Sequence, residues 1–223
     1  MRVGIIAEGT EDQAVISNIL RAYGVDRSDI VSIKPSLQRD ATDENNPEEN
    51  ATIGTFQGVK NACIGHNGSR PYFEQFFLFE DDLFMVVHLD TAEIEQQNFA
   101  FAKPVKTGNP DYCTQLRNQV IDLINTWLEH QYSDQLLYAI AIEEIEAWCL
   151  TLYTKHDTAQ SADAKSKFWR EANKKKIKSG SNKLEELTKN FRKLKTLKPL
   201  LPYNQSLNDF AASIESATQT FKS

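Results

Sequence analysis

Four short apolar runs constrain this chain more than any other feature. Val3–Ala7, Ile30–Ile33, Phe84–Leu89 and Leu136–Ile142 each stop abruptly at a polar or charged residue. They are continuous rather than alternating, which is the pattern of strands covered on both faces. Helical periods fill the gaps between them. Val15, Ile16, Ile19, Leu20 and Tyr23 share one face, and Phe56, Val59 and Cys63 another. Leu116, Val120, Leu123, Ile124, Trp127 and Leu128 form a third. This β-α alternation predicts an α/β fold: a mainly parallel, Rossmann-like sheet with right-handed crossovers and helices on both faces. Thr10 and Gln13 read as a T-x-x-Q capping box, and Gly24 as the stop of that helix. The aromatic stretch Phe73–Phe79 fits neither period. Residues 36–53 and 96–110 read as loops.

Beyond residue 155 the strand pattern stops. Leu184, Leu187, Phe191 and Leu194 predict one helix. Leu207, Phe210, Ile214, Ala217 and Phe221 predict another, with Pro199 and Pro202 between them. The chain therefore divides into a sheet domain over 1–155 and a helical appendage over 156–223 packed on it, with Ser179-Gly180-Ser181 as an exposed turn. Charge follows the same division. The net charge is −6, yet residues 151–200 carry 14 basic against 5 acidic side chains. A basic segment on an acidic body suits a polyanion, although a solvated helical face has the same composition.

Composition excludes several classes. With 40% hydrophobic and 25% charged residues the chain is neither disordered nor collagen-like. No run approaches the roughly 18 apolar residues of a membrane helix. The first residues, MRVGIIAEGTEDQ, read as a strand rather than a signal peptide. Cys63, Cys113 and Cys149 are odd in number and far apart, which argues against a cysteine zinc site and for a reducing, cytoplasmic compartment. No glycine pattern that cradles a nucleotide and no nucleophile elbow is present.

Open parallel sheets work at the carboxyl ends of their strands. Three acidic groups fall there: Glu8 after the first run, Asp90 after the third, and Glu143 with Glu146 after the fourth. Carboxylates that converge repel one another and call for a cation. Hard oxygen donors without a His or Cys cluster favour Mg²⁺ or Mn²⁺. In the metal-free state such crowding should raise at least one carboxyl pKa. Read more simply, Glu8 would accept helix amides, Asp90 would open a turn and His88 would be a satisfied core residue.

Glu8-Gly9-Thr10-Glu11 and the strand ending at Asp90 resemble the Toprim domain, the divalent-metal domain of topoisomerases, bacterial primases and OLD-family nucleases. Glu146-Ala147-Trp148 is similar to the helix start of uncharacterised bacterial Toprim-like families, some of them in phage-defence and mobile loci. Ser206-Leu207-Asn208-Asp209-Phe210 is similar to their closing element. The resemblance implies a catalytic set of Glu8, Asp90 and Glu146, with metal held by Glu8, Asp90 and Glu93. One departure stands out. Toprim domains carry D-x-D at the third strand, and here the second acid is replaced by Ala92, so Glu93 or Glu146 must supply a third oxygen.

The implied activity is Mg²⁺-dependent phosphodiester cleavage of nucleic acid, a nuclease reaction. Lys174, Lys175, Lys176, Lys178, Arg192 and Lys193 would hold the nucleic-acid backbone, and an operon-encoded protein is a further expected partner. The alternative is a degenerate Toprim fold that binds nucleic acid or protein without turnover.

Overall fold

The structure, a computed structural model, describes residues 1–36, 55–78, 82–92, 101–174 and 183–220. The four apolar runs form β1 (Arg2–Ile6), β2 (Ile30–Lys34), β3 (Leu83–Asp90) and β4 (Leu136–Ala141). They build one sheet in the order β2-β1-β3-β4, and every pairing is parallel. The chain is thus an α/β protein with helices on both sides of the sheet. Gly4 leaves room for its neighbours on β3 and β2: a methyl group there would meet Met85 Sδ at 2.8 Å and Ile33 Cγ1 at 3.1 Å.

Helix α1 (Thr10–Ala22) buries Val15, Ile16, Ile19 and Leu20 on the sheet, as its periodicity predicts. Its start differs from the sequence reading. The cap is Gly9, whose N–H donates to the Asp12 carboxylate at 2.8 Å. Gln13 is buried and turned inward instead, and its amide donates to Lys34 O at 2.9 Å and Pro35 O at 3.0 Å. The side chain that looked like a capping partner therefore ties α1 to the end of β2. Gly24, at φ +89°, closes the helix as read.

On the opposite face lie α2 (Phe56–Ile64), α3 (Pro71–Phe77) and α4 (Tyr112–Trp127). They cover Ile6, Met85, Val87, Leu89, Ile140 and Ile142. Phe73–Phe77 of the ambiguous aromatic stretch belong to α3, begun by Pro71 in its first turn, where a missing N–H costs nothing, and Phe79 lies outside the described residues.

After β4 come α5 (Glu146–Leu150) and α6 (Ala164–Asn173), then α7 (Lys183–Leu187), a 3-10 turn (Lys189–Arg192) and α8 (Leu194–Leu197). A second 3-10 segment (Lys198–Tyr203) leads into α9 (Gln205–Thr220). The single helix expected over Leu184–Leu194 is broken into three pieces. Thr188 donates its hydroxyl to Leu184 O and accepts from Asn18 Nδ2 at 2.8 Å, while Arg192 donates to Asn18 Oδ1 at 2.6 Å. Tertiary hydrogen bonds to α1 outweigh local helix propensity there. The expected turn at 179–181 lies outside the described residues.

These C-terminal elements share one core with the α1 face of the sheet. Phe168, Leu184, Phe191, Leu197, Leu207, Phe210 and Ile214 are buried together with Val3, Ile5, Val86 and Leu137. Phe210 stacks on Trp148 with ring centroids 5.6 Å apart, and Trp148 Nε1 donates to Ser206 Oγ at 2.8 Å. The described residues 156–174 and 183–220 thus provide much of one layer of the protein. Phe210→Ala should lower the unfolding free energy by about 3–5 kcal/mol. Denaturation followed by both tryptophan fluorescence and circular dichroism should show one shared transition. A separate early transition of the C-terminal helices would contradict the common core.

Candidate functional site

The topology singles out one crevice. From β1 the chain turns into α1 on one face, whereas from β3 it runs to α4 on the other. β1 and β3 are adjacent, so their carboxyl ends form the switch point at which open parallel sheets bind ligands. Glu8 and Asp90 are the residues that emerge there.

The two are in contact although 82 positions apart. Glu8 Oε1 accepts the Asp90 backbone N–H at 3.0 Å. Burial, and then the charge of Asp90, push the Glu8 carboxyl up to about 7. Asp12, one helical turn beyond Glu8, joins them. Burial raises it to about 6, against the pull of His88 and with a further push from Asp90.

His88 lies at the centre of this group and is fully buried. Its Nδ1 is 2.6 Å from Ala139 O, and a carbonyl there requires an N–H. Its Nε2 faces Asp90 Oδ1 at 3.3 Å and Asp12 Oδ2 at 3.9 Å. Nε2 makes no aligned hydrogen bond to either carboxylate, so a proton there is favoured by the nearby negative charge rather than by a hydrogen bond. Burial opposes the charged ring, but Asp90, Asp12 and Glu8 together outweigh it and lift the pKa to about 9.

Glu146 opens α5 and is 5% exposed. Burial raises its carboxyl to about 7 against the charge of Lys165, and Asp90 and Glu144 add to the rise. Lys165 Nζ stands 3.7 Å from Glu146 Oε1 with its side chain 62% exposed, so it lies between the acids and solvent. Glu143 does not join the group. It pairs with Lys106 Nζ at 2.8 Å and takes φ +64°. Its backbone accepts the N–H groups of Thr91 and Ala92 at 2.9 Å each, and its N–H donates to Thr91 Oγ1 at 2.8 Å. The loop after β3 is thereby fastened to the loop after β4. Glu144 accepts the Lys165 backbone N–H, an ordinary helix-terminal role.

Glu8, Asp90 and Glu146 thus gather at one edge, while Glu93 lies outside the described residues. Among the described residues no three His, Cys, Asp or Glu side chains stand in a ready-made metal-holding arrangement. Of the basic set, Lys175, Lys176 and Lys178 lie outside the described residues. Lys174 pairs with Glu171 at 2.8 Å, and Lys193 is exposed. Arg192 faces inward, bonded to Asn18 and to Glu185 at 2.7 Å.

The sequence reading missed Asp12, His88 and Lys165 as members of the cluster. Two signals were present. His88 is two residues before Asp90, so strand alternation puts both on one side. Asp12 follows Glu8 by four, across the first turn of α1. Nothing in the sequence links Lys165 to β3. Comparison of the chain with protein-family models, with curated proteins and with solved structures finds no match.

The raised pKa values fix a direction for stability. Glu8, Asp12 and Glu146 hold protons more tightly folded than unfolded, so the folded state loses stability as pH rises from about 4 through 7. His88 contributes fully below its ordinary 6.5 and loses that contribution as pH rises through about 9. All four act in one direction. The thermal midpoint in EDTA should therefore fall steadily from pH 5 to 9. Glu8→Gln should flatten that fall and gain about 1–2 kcal/mol at pH 8. A midpoint that climbs over this range would show that these acids ionise without penalty.

Proposed function

We propose that this chain is a Toprim-like, divalent-cation-dependent phosphoryl-transfer protein that cleaves phosphodiesters in nucleic acid. One observation carries the reading: Glu8 and Asp90 meet at the switch point of the sheet, with Asp12 near enough for its charge to act on Glu8 and Glu146 near enough to respond to Asp90. The donor chemistry fits Mg²⁺ or Mn²⁺. All four carboxylates offer hard oxygens, and Asp90 Oδ1 is buried with no aligned hydrogen-bond donor among the described residues. Mg²⁺ keeps several waters and needs only one or two protein carboxylates, so a preassembled triad is not required. Glu8 and Asp90 would hold the cation, with Glu146 or Glu93 as a further oxygen. Bound there, the cation would neutralise phosphate oxygens and lower the pKa of a water.

The chain's own groups account for the rest. Glu8, with a pKa near 7, can accept a proton at neutral pH. His88 anchors Asp90 from the core side, and Lys165 screens Glu146 from the solvent side. Lys174, Lys193 and the neighbouring lysines would meet the nucleic-acid backbone without reading sequence. The cytoplasm suits three buried, unpaired cysteines. No helix among the described residues is long and apolar enough to cross a membrane. A role in phage defence rests on the Glu146-Ala147-Trp148 resemblance.

A second reading draws on Ala92, which stands where Toprim domains carry their second acid, and on the imidazolium already seated among the carboxylates. In that reading the fold binds nucleic acid or protein without turnover. Calorimetric titration with Mn²⁺ and cleavage assays on labelled DNA and RNA separate the two. A catalyst binds Mn²⁺, and Glu8→Gln abolishes that binding and lowers cleavage by about 10²–10⁴-fold while the fold persists. Intact substrate with wild-type protein and saturating Mn²⁺ would favour the binding module.

A further inference from the structure

Lys34 ends β2 at the same edge of the sheet as Glu8. The two are linked through the backbone, since Ala7 N donates to Lys34 O at 2.8 Å. Beside Lys34, on the face of α2 and α3 and away from the His88 side, the protein opens a cleft of about 390 Å³. Lys34, Gly58, Asn61, His66, Pro71 and Tyr72 line it, and no acidic side chain stands among its described lining residues. The volume is that of a small-molecule site rather than a packing defect. A chain whose net charge is −6, with acids crowded one strand away, keeps them out of this cleft.

The lining has a definite chemistry. Lys34 Nζ stands 5.6 Å from the centre of the Tyr72 ring and donates to the Tyr72 hydroxyl at 3.4 Å. A cation and an aromatic face are therefore presented together. Two glycines also line the cleft: Gly58 lies in the first turn of α2, and Gly65 at its end admits no side chain. That requirement comes from its own turn: a Cβ at Gly65 would meet the backbone of Ser69 at 1.9 Å, and its φ is +70°. The floor is fixed, because the Gln13 amide holds the carbonyls of Lys34 and Pro35.

A basic group beside an aromatic face, without sequence-reading bulk, is how proteins hold single-stranded nucleic acid. The geometry points to this cleft as a subsite for one nucleotide of a single strand, with the base against Tyr72 and a phosphate at Lys34. Because Lys34 ends the strand next to β1, a strand leaving this cleft along the sheet edge would run toward Glu8. The identity of the strand as substrate rests on the proposed function, whereas binding in the cleft needs neither metal nor cleavage.

The test uses the full chain carrying Glu8→Gln, in EDTA, so that nothing is cut. Fluorescence anisotropy with a labelled ten-nucleotide single strand should show binding. Tyr72→Leu should weaken it about tenfold or more, and Tyr72→Phe should restore it to within about twofold. Lys34→Met should weaken it and reduce the salt slope by about one, with Lys34→Arg restoring the slope. Unfolding midpoints of the four variants confirm that each is folded. Adenosine monophosphate, the free form of the same chemistry, should compete far more weakly than the strand. Equal affinity for the two would mark a free-nucleotide site and overturn delivery of a chain. Absence of binding, or binding unchanged by Tyr72→Leu and Lys34→Met, would overturn the subsite and assign any affinity to the basic C-terminal segment. Failure of Mn²⁺ to bind wild-type protein would refute the metal-dependent reading while leaving these results standing.

Discussion

The carboxyl edge of the sheet is organised around one buried charge. His88 sits on the central strand pair with a carbonyl on one side and carboxylates on the other. An isolated imidazolium in that position would be expelled or neutralised, and a set of buried carboxylates alone would be as costly. Each stabilises the other, so the acids can approach one another without any bound ion. The backbone of Asp90 is then free to bond Glu8, and the tie between Thr91 and Glu143 keeps the loops after β3 and β4 in register with that arrangement.

This arrangement bears on the chemistry in two opposing ways. A resident positive charge lowers the repulsion that an incoming phosphate would feel at an acidic rim. The same charge also weakens the attraction of the rim for a dication. Lys165, more than half exposed, adds a second positive group on the outer side. The edge is therefore four carboxylates with two basic groups set among them, not a bare acidic bowl, and small changes in protonation alter its field.

The sheet was legible because continuous apolar runs leave few options. All four strands lie within a residue or two of their expected bounds. Gln13 and the segment Leu184–Leu194 were misread for a shared reason. Both have local patterns that fit a simple motif, yet both are redirected by hydrogen bonds to residues far away in sequence. The aromatic stretch at Phe73 was ambiguous because its residues favour strands and helices alike when buried; Pro71 was the only local marker. Of the site, Glu8, Asp90 and Glu146 were visible at strand ends. His88 was dismissed as core, and it is core, but its partners are the site itself. Lys165 could not be inferred, since its approach depends on how α6 lies against α5.

The hydrogen bonds that Asn18 donates to Thr188 and accepts from Arg192 join residues more than 160 positions apart. The α1 face of the sheet is likewise closed over β4 by α9, which carries Phe210. As the chain is synthesised, the sheet can pair after roughly its first 140 residues, but one of its faces must wait for the rest. Contacts of such long range slow folding and leave apolar surface uncovered for a time. A nascent chain of this protein should therefore depend on holding chaperones in the interval between completion of β4 and emergence of α9.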